Sequence, residues 1–139
     1  MQEKITKLIK KVPFPVVTSL DSQGFPTVRT MGLVKSHSTP PKTLYFSTNT
    51  SSQHVAHFRN TPQSCVYFTH IRGFNYEGLS LYGTIEILED APTKKSFWTP
   101  LSRIYYKSPT DPDYCILRFT AHKARYYKAL KSTDIKIPQ

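Results

Sequence analysis

The 139-residue chain holds little from which a disulfide framework, a metal centre or a membrane span could be built. Its only two cysteines, Cys65 and Cys115, lie in separate apolar, strand-like runs and form no CxxC pair. They read as buried free thiols rather than as a bridge or as ligands. No apolar run approaches the length that crosses a bilayer. Met1 to Val12 carries four lysines and no long apolar centre, so a secretory signal is not expected and a cytoplasmic location is the default. Internal repeats and low-complexity linkers are missing, and no Ser-His-Asp or paired-carboxylate arrangement stands out. If the chain is an enzyme, a bound cofactor must carry the chemistry, and no catalytic residue can be named.

Acidic residues are scarce as well: nine stand against nineteen lysines and arginines, for a formal net charge of +10. Such an excess raises nucleic-acid binding as a hypothesis, because clustered cations neutralise phosphates and interleaved aromatics stack on bases. Here the cations are spread along the chain, and solubility or attraction of small anions explains them at least as well. His54 and His57 are three apart on an expected helix, but without a neighbouring cysteine or carboxylate they make a weak metal site, and none is expected.

What is present is the composition of a folded domain, with 38% hydrophobic and 13% aromatic residues, and the length suits one domain spanning 1–139. Ile5, Leu8, Ile9 and Val12 follow helical spacing, which predicts a short amphipathic helix over about 2–11, stopped by Pro13 and Pro15. Strands are predicted over 14–20 and 27–35, joined at Asp21-Ser22-Gln23-Gly24 as a hairpin. Alternation in the second strand puts Val28, Thr30, Gly32 and Val34 on one face, with Arg29, Met31, Leu33 and Lys35 on the other. Gly32 there suggests close approach of a ligand or another backbone.

Further strands are predicted over 43–47, 63–70 and 76–89, the last being the longest, with Gly83 marking a bend or bulge. Asp90 to Thr93 starts a helix whose apolar face would be Phe97, Leu101, Ile104 and Tyr105, kinked at Pro100. Two closing strands over 114–120 and 124–130 precede a polar, frayed tail. The order implies a mainly β fold with short helices, a small antiparallel barrel capped by helices.

The functional clue is the junction after the third strand. Phe46-Ser47-Thr48-Asn49-Thr50-Ser51-Ser52-Gln53-His54-Val55 runs from strand through a polar turn into a helix start. Backbone N–H groups at such an end, helped by hydroxyls, can hold a phosphate. Taken alone, Thr48, Ser51 and Ser52 are better explained by ordinary helix capping.

The order of these pieces resembles the pyridoxamine 5′-phosphate oxidase-like superfamily of FMN-binding split β-barrels, of the small general-stress-protein type. The likeness is carried by VVTSLDSQGFPTVRTMGLV as the opening hairpin, LYFSTNTSSQHV as the phosphate turn, LSLYGTIEILED as the long strand, and FWTPLSRIYY with DPDYCILRFTAHKARYY as the C-terminal part. It implies a six- to seven-stranded antiparallel split barrel and a homodimer with FMN at the subunit interface. By that resemblance Arg29, Thr30, Met31 and Gly32 lie along the flavin, with Arg29 near the polar edge of the ring.

Thr48, Ser51, Ser52, Gln53 and His54 would form the phosphate turn, in which His54 stands where the family has lysine. A partly charged histidine makes phosphate binding weaker and more pH-dependent. Trp98 and Tyr105 could meet the ring across the dimer, although interface or core packing explains them better. The implied activity is a flavin-dependent oxidoreductase acting on a small-molecule substrate. The resemblance does not reach the substrate-binding residues of the oxidase itself. A non-catalytic flavin-binding or storage protein, a deazaflavin or haem in place of FMN, and a basic barrel for single-stranded nucleic acid stay open as alternatives.

Overall fold

A computed structural model describes residues 1–139. Helix α1, Gln2–Lys11, turns Ile5, Leu8 and Ile9 into the core and leaves its lysines to solvent. Seven strands follow: β1 Val16–Leu20, β2 Pro26–Thr30, β3 Thr43–Asn49, β4 Gln63–Arg72, β5 Asn75–Leu88, β6 Tyr114–Lys128 and β7 Lys131–Lys136. Helix α2, Gln53–Asn60, separates β3 from β4, and α3, Ala91–Phe97, with a 3-10 turn at Pro100–Ile104, separates β5 from β6. All pairings are antiparallel, in the order β2-β1-β4-β5-β6-β3, with β7 added to the far half of β6.

The sheet curls without closing. Its two ends approach where Leu33 bridges Phe46 and the Val34 amide donates to the Tyr45 carbonyl at 2.8 Å, so β2 runs out beside β3. Val17, Phe46, Val66, Phe68, Leu79, Leu81, Leu117 and Phe119 fill the inside of the curl with the apolar edges of α1 and α2. Burying each such side chain contributes about 1.5–3 kcal/mol before entropy is counted.

Several expectations are corrected by the structure. β2 ends at Thr30 rather than Lys35, because Met31 and Leu33 donate their amides to Pro15 and Pro13 outside the strand ladder. Phe14 is exposed and precedes β1. The two closing strands are one 15-residue strand, β6, which makes it longer than the 14-residue β5. The interruption read between Thr120 and Ala124 is a bulge: Tyr82 pairs with Lys123 and Gly83 with Ala121, leaving His122 over. The tail is not frayed but pairs as β7 through the turn Ala129-Leu130, both residues at positive φ.

The helix after Asp90 does not kink at Pro100; it stops at Phe97, and Leu101, Ile104 and Tyr105 are exposed instead of forming a buried face. Gly83 does mark a bulge. A Cβ there would overlap the Thr120 carbonyl oxygen. At Gly32 the nearest protein neighbour is the ring of Phe14, 3.3 Å from where a Cβ would stand. No helix is long and apolar enough to cross a membrane.

Candidate phosphate-binding cavity

Seven of the residues singled out in the sequence line one cavity of about 300 Å³: Arg29, Thr30, Met31, Gly32, Thr48, His54 and Tyr105. The route from sequence to site is short. Strand β2 alternates so that Arg29 and then Met31 turn inward, the end of β3 brings Thr48 alongside, and the first turn of α2 sets His54 above it. Ser47, Asn49 and Tyr106 complete the lining. Ser47 lies in the strand predicted over 43–47, and Asn49 follows from the extension of β3.

Ser51, Ser52, Gln53 and Trp98 are not part of this lining. Ser52 is the N-cap of α2, its hydroxyl accepting from the Val55 amide at 3.4 Å. The Ser51 amide donates to the Asp113 carboxylate at 2.8 Å, and the Ser51 hydroxyl accepts from the Asn49 side-chain amide. Gln53 is exposed on the first turn of α2. Trp98 packs edge-on against Tyr114, with ring centroids 5.5 Å apart.

The charge of the site resides on Arg29. It is half-buried, and none of the carboxylates that pair Arg59, Arg118 and Arg125 reaches it. Burial lowers its pKa, yet a guanidinium stays cationic across physiological pH. Its Nη1 donates to the Ser19 hydroxyl at 2.8 Å and more weakly to the Val17 carbonyl at 3.3 Å, and its Nη2 donates to the Thr27 hydroxyl at 2.7 Å. The group is thus held back against β1, on the α2 side of the cavity.

His54 faces the same space with Nε2 2.8 Å from the Thr48 hydroxyl. Burial first, and then the positive field of Arg29 and the neighbouring His57, lower its pKa to about 4. The imidazole is therefore neutral at pH 7, acting as a polar rather than a charged wall. Tyr106, pushed up to about 12 mainly by burial, is a neutral phenol. The site offers one fixed cation, the hydroxyls of Thr30, Ser47 and Thr48, the phenols of Tyr105 and Tyr106, and a neutral imidazole at a helix start, a set suited to an anionic group such as a phosphate.

No cluster of three His, Cys, Asp or Glu side chains that could hold a metal is present, and His57 is engaged with Ser19 rather than with His54. A larger groove of about 760 Å³, lined among others by Gln63, Cys65, Tyr82, His122 and Lys136, contains none of these site residues. Its cations Lys123 and Lys136 are exposed, so solvent screens them; the smaller cavity holds the desolvated charge and is the better anion site. Sequence reasoning missed Ser19 and Thr27, whose hydroxyls carry Arg29; the spacing of a two-strand hairpin brings them together but does not single them out.

The family model described as pyridoxamine 5′-phosphate oxidase matches residues 1–128. Among solved structures, a Clostridium acetobutylicum protein related to general stress protein 26 of Bacillus subtilis is 34% identical, with 98% of this chain and 94% of that one covered at a TM-score of 0.84. A pyridoxamine 5′-phosphate oxidase-related, FMN binding protein from Nostoc punctiforme has the same fold at 11% identity, over 99% and 97% of the two chains, TM-score 0.74. So does a heme binding protein from Mycobacterium smegmatis at 9% identity, over 97% of this chain and 57% of that one, TM-score 0.76. No match is found among the curated proteins. Family model, fold and the 34% identical relative agree: the chain belongs to the pyridoxamine 5′-phosphate oxidase family.

Proposed function

We propose that the protein binds FMN and is a flavin-dependent oxidoreductase acting on a small molecule. The observation that carries this reading is Arg29: a half-buried guanidinium with no carboxylate partner, lining a cavity with Thr48 and His54 at a helix start. A desolvated cation left without a protein anion favours an anionic ligand. The phosphate of FMN is held by Arg29, Thr48 and His54, whereas the ring lies along Thr30, Met31 and Gly32. Arg29 is accordingly a phosphate ligand here rather than a partner of the ring's polar edge. Ser51, Ser52 and Gln53 act through the turn and the cap. When bound, FMN accepts a hydride or electrons from a reduced donor; the chain's own residues bind and orient it.

A cavity of about 300 Å³ is at the small end for a cofactor of this size, and Tyr105 at its rim is 78% exposed. Leu101 and Ile104, 72% and 71% exposed, continue that apolar surface. These features support a homodimer in which a second copy supplies the other wall for each of two FMN molecules, with Tyr105 and Trp98 near that boundary. The cytoplasm, with its FMN and reduced nicotinamide pools, suits this role. Purified protein supplied with FMN is expected to shift the flavin absorbance and quench its fluorescence; free-flavin spectra at saturating protein would refute the reading. Bound FMN that neither NADH nor NADPH reduces would support a flavin-storage role over an oxidoreductase.

A further inference from the structure

We infer that Ser19, Thr27 and His57 form a seat that fixes Arg29 so that one edge of its guanidinium is kept for the oxygens of a phosphate. It rests on the phosphate-binding reading above but not on the identity of the flavin. The Ser19 and Thr27 hydroxyls are 2.8 Å apart and accept from Nη1 and Nη2, so the end of the planar group is gripped by two acceptors at once. The second proton on Nη1 is directed at the Val17 carbonyl. This leaves the Nε proton and the second Nη2 proton, which share the side edge of the plane and have no acceptor within the chain. Two parallel donors on one edge match two oxygens of a phosphate.

The seat rests on one buried residue, with Thr27 and His57 half-buried beside it. Ser19 is only 1% exposed, and its hydroxyl also lies 2.8 Å from Nδ1 of His57 on α2. Because both hydroxyls accept from Arg29, each must pass its own proton on. Thr27 can give its proton to the Ser19 hydroxyl, 2.8 Å away, and Ser19 can give its proton to His57 Nδ1. That arrangement satisfies every group and joins β1, β2 and α2 around one cation. Ser19 and Thr27 are positioning residues: they touch Arg29, and Arg29 touches the ligand.

The test uses inorganic phosphate as probe and the Arg29 side-chain nitrogens as reporter, by ¹⁵N NMR of the full chain. In the free wild-type protein the gripped Nη groups should rotate slowly and give resolved signals, and phosphate should shift the Nε signal. Ser19→Ala, and separately the shape-preserving Thr27→Val, should average the Nη signals and weaken phosphate about tenfold, the effect of losing one charge-assisted hydrogen bond. Averaged Arg29 signals in the wild type, an Nε signal indifferent to phosphate, or variants that bind phosphate as the wild type does would each overturn the seat. Failure of FMN to bind a chain that still passes this test would count against the flavin and not against the seat.

Discussion

The Nε2 atom of His54 lies 2.8 Å from the Thr48 hydroxyl, tying the first turn of α2 to the end of β3 on one wall of the cavity. That contact joins a neutral imidazole to a hydroxyl beside a fixed guanidinium. It makes the second cation of the site conditional on what binds there.

Replacing His54 by lysine adds a permanent charge next to Arg29. Repulsion between the two is outweighed once a phosphate dianion lies between them, so His54→Lys should raise FMN affinity at pH 8 by about tenfold, near the strength of one charge-assisted hydrogen bond. Between pH 6 and 8 the wild type should bind more tightly as pH falls, since a bound dianion favours imidazolium, whereas the lysine variant should vary much less. Fluorescence titration at several pH values checks both. Equal affinities at pH 8 would remove His54 from the phosphate site.

The same group couples folding to acid. His54 titrates at about 4 in the fold against about 6.5 in an unfolded chain, so between these values the unfolded state binds more protons. Its contribution to stability is complete above pH 6.5 and is lost as pH falls toward 4. Because the side chain is only part-buried, solvent screening reduces the effect to on the order of 1 kcal/mol. Thermal unfolding at pH 7.5 and pH 5 should show a larger loss for the wild type than for His54→Gln; an equal loss would contradict the depressed titration.

Ser52 and Gly83 test the frame. Ser52→Ala removes the N-cap of α2 and should cost about 1 kcal/mol in urea unfolding. Gly83→Ala forces a methyl group into the Thr120 carbonyl at the bulge and should cost about 3 kcal/mol or more, unless the strand pairing shifts. A Gly83→Ala protein as stable as the wild type would mean that β5 and β6 do not cross as described.

Much of this frame is legible in residue order, and the reasons are local. The spacing of Ile5, Leu8 and Ile9 defines α1, and the strand-turn-helix composition around Thr48 to His54 defines the junction. Arg29 and Met31 fall on one face by simple alternation. What escapes the sequence depends on distant partners. Ser19 and Thr27 face each other across the predicted hairpin, but His57 joins them only because α2 packs against it, and nothing in its spacing announces that. The strand β6 looks broken because one bulged residue, His122, is left unpaired between the partners of Tyr82 and Gly83, and its neighbours resemble a turn when β5 is out of view.

The turn into β7 is hidden for a different reason. Ala129 and Leu130 adopt positive φ without the Gly or Asn that normally signals it. Leu101, Ile104 and Tyr105 have helical apolar spacing, but the chain there is a short 3-10 turn that leaves them exposed. Pattern alone cannot distinguish a face that packs on its own core from one left exposed.

The most direct test of the phosphate reading compares FMN with riboflavin, which lacks only the phosphate, by fluorescence titration of the wild type and of Arg29→Ala at pH 7. A half-buried guanidinium meeting a phosphate predicts FMN binding at least about tenfold tighter than riboflavin in the wild type. In Arg29→Ala most of that difference should disappear while riboflavin affinity is little changed. Equal affinity of the wild type for the two flavins, or an FMN preference that survives loss of Arg29, would contradict it.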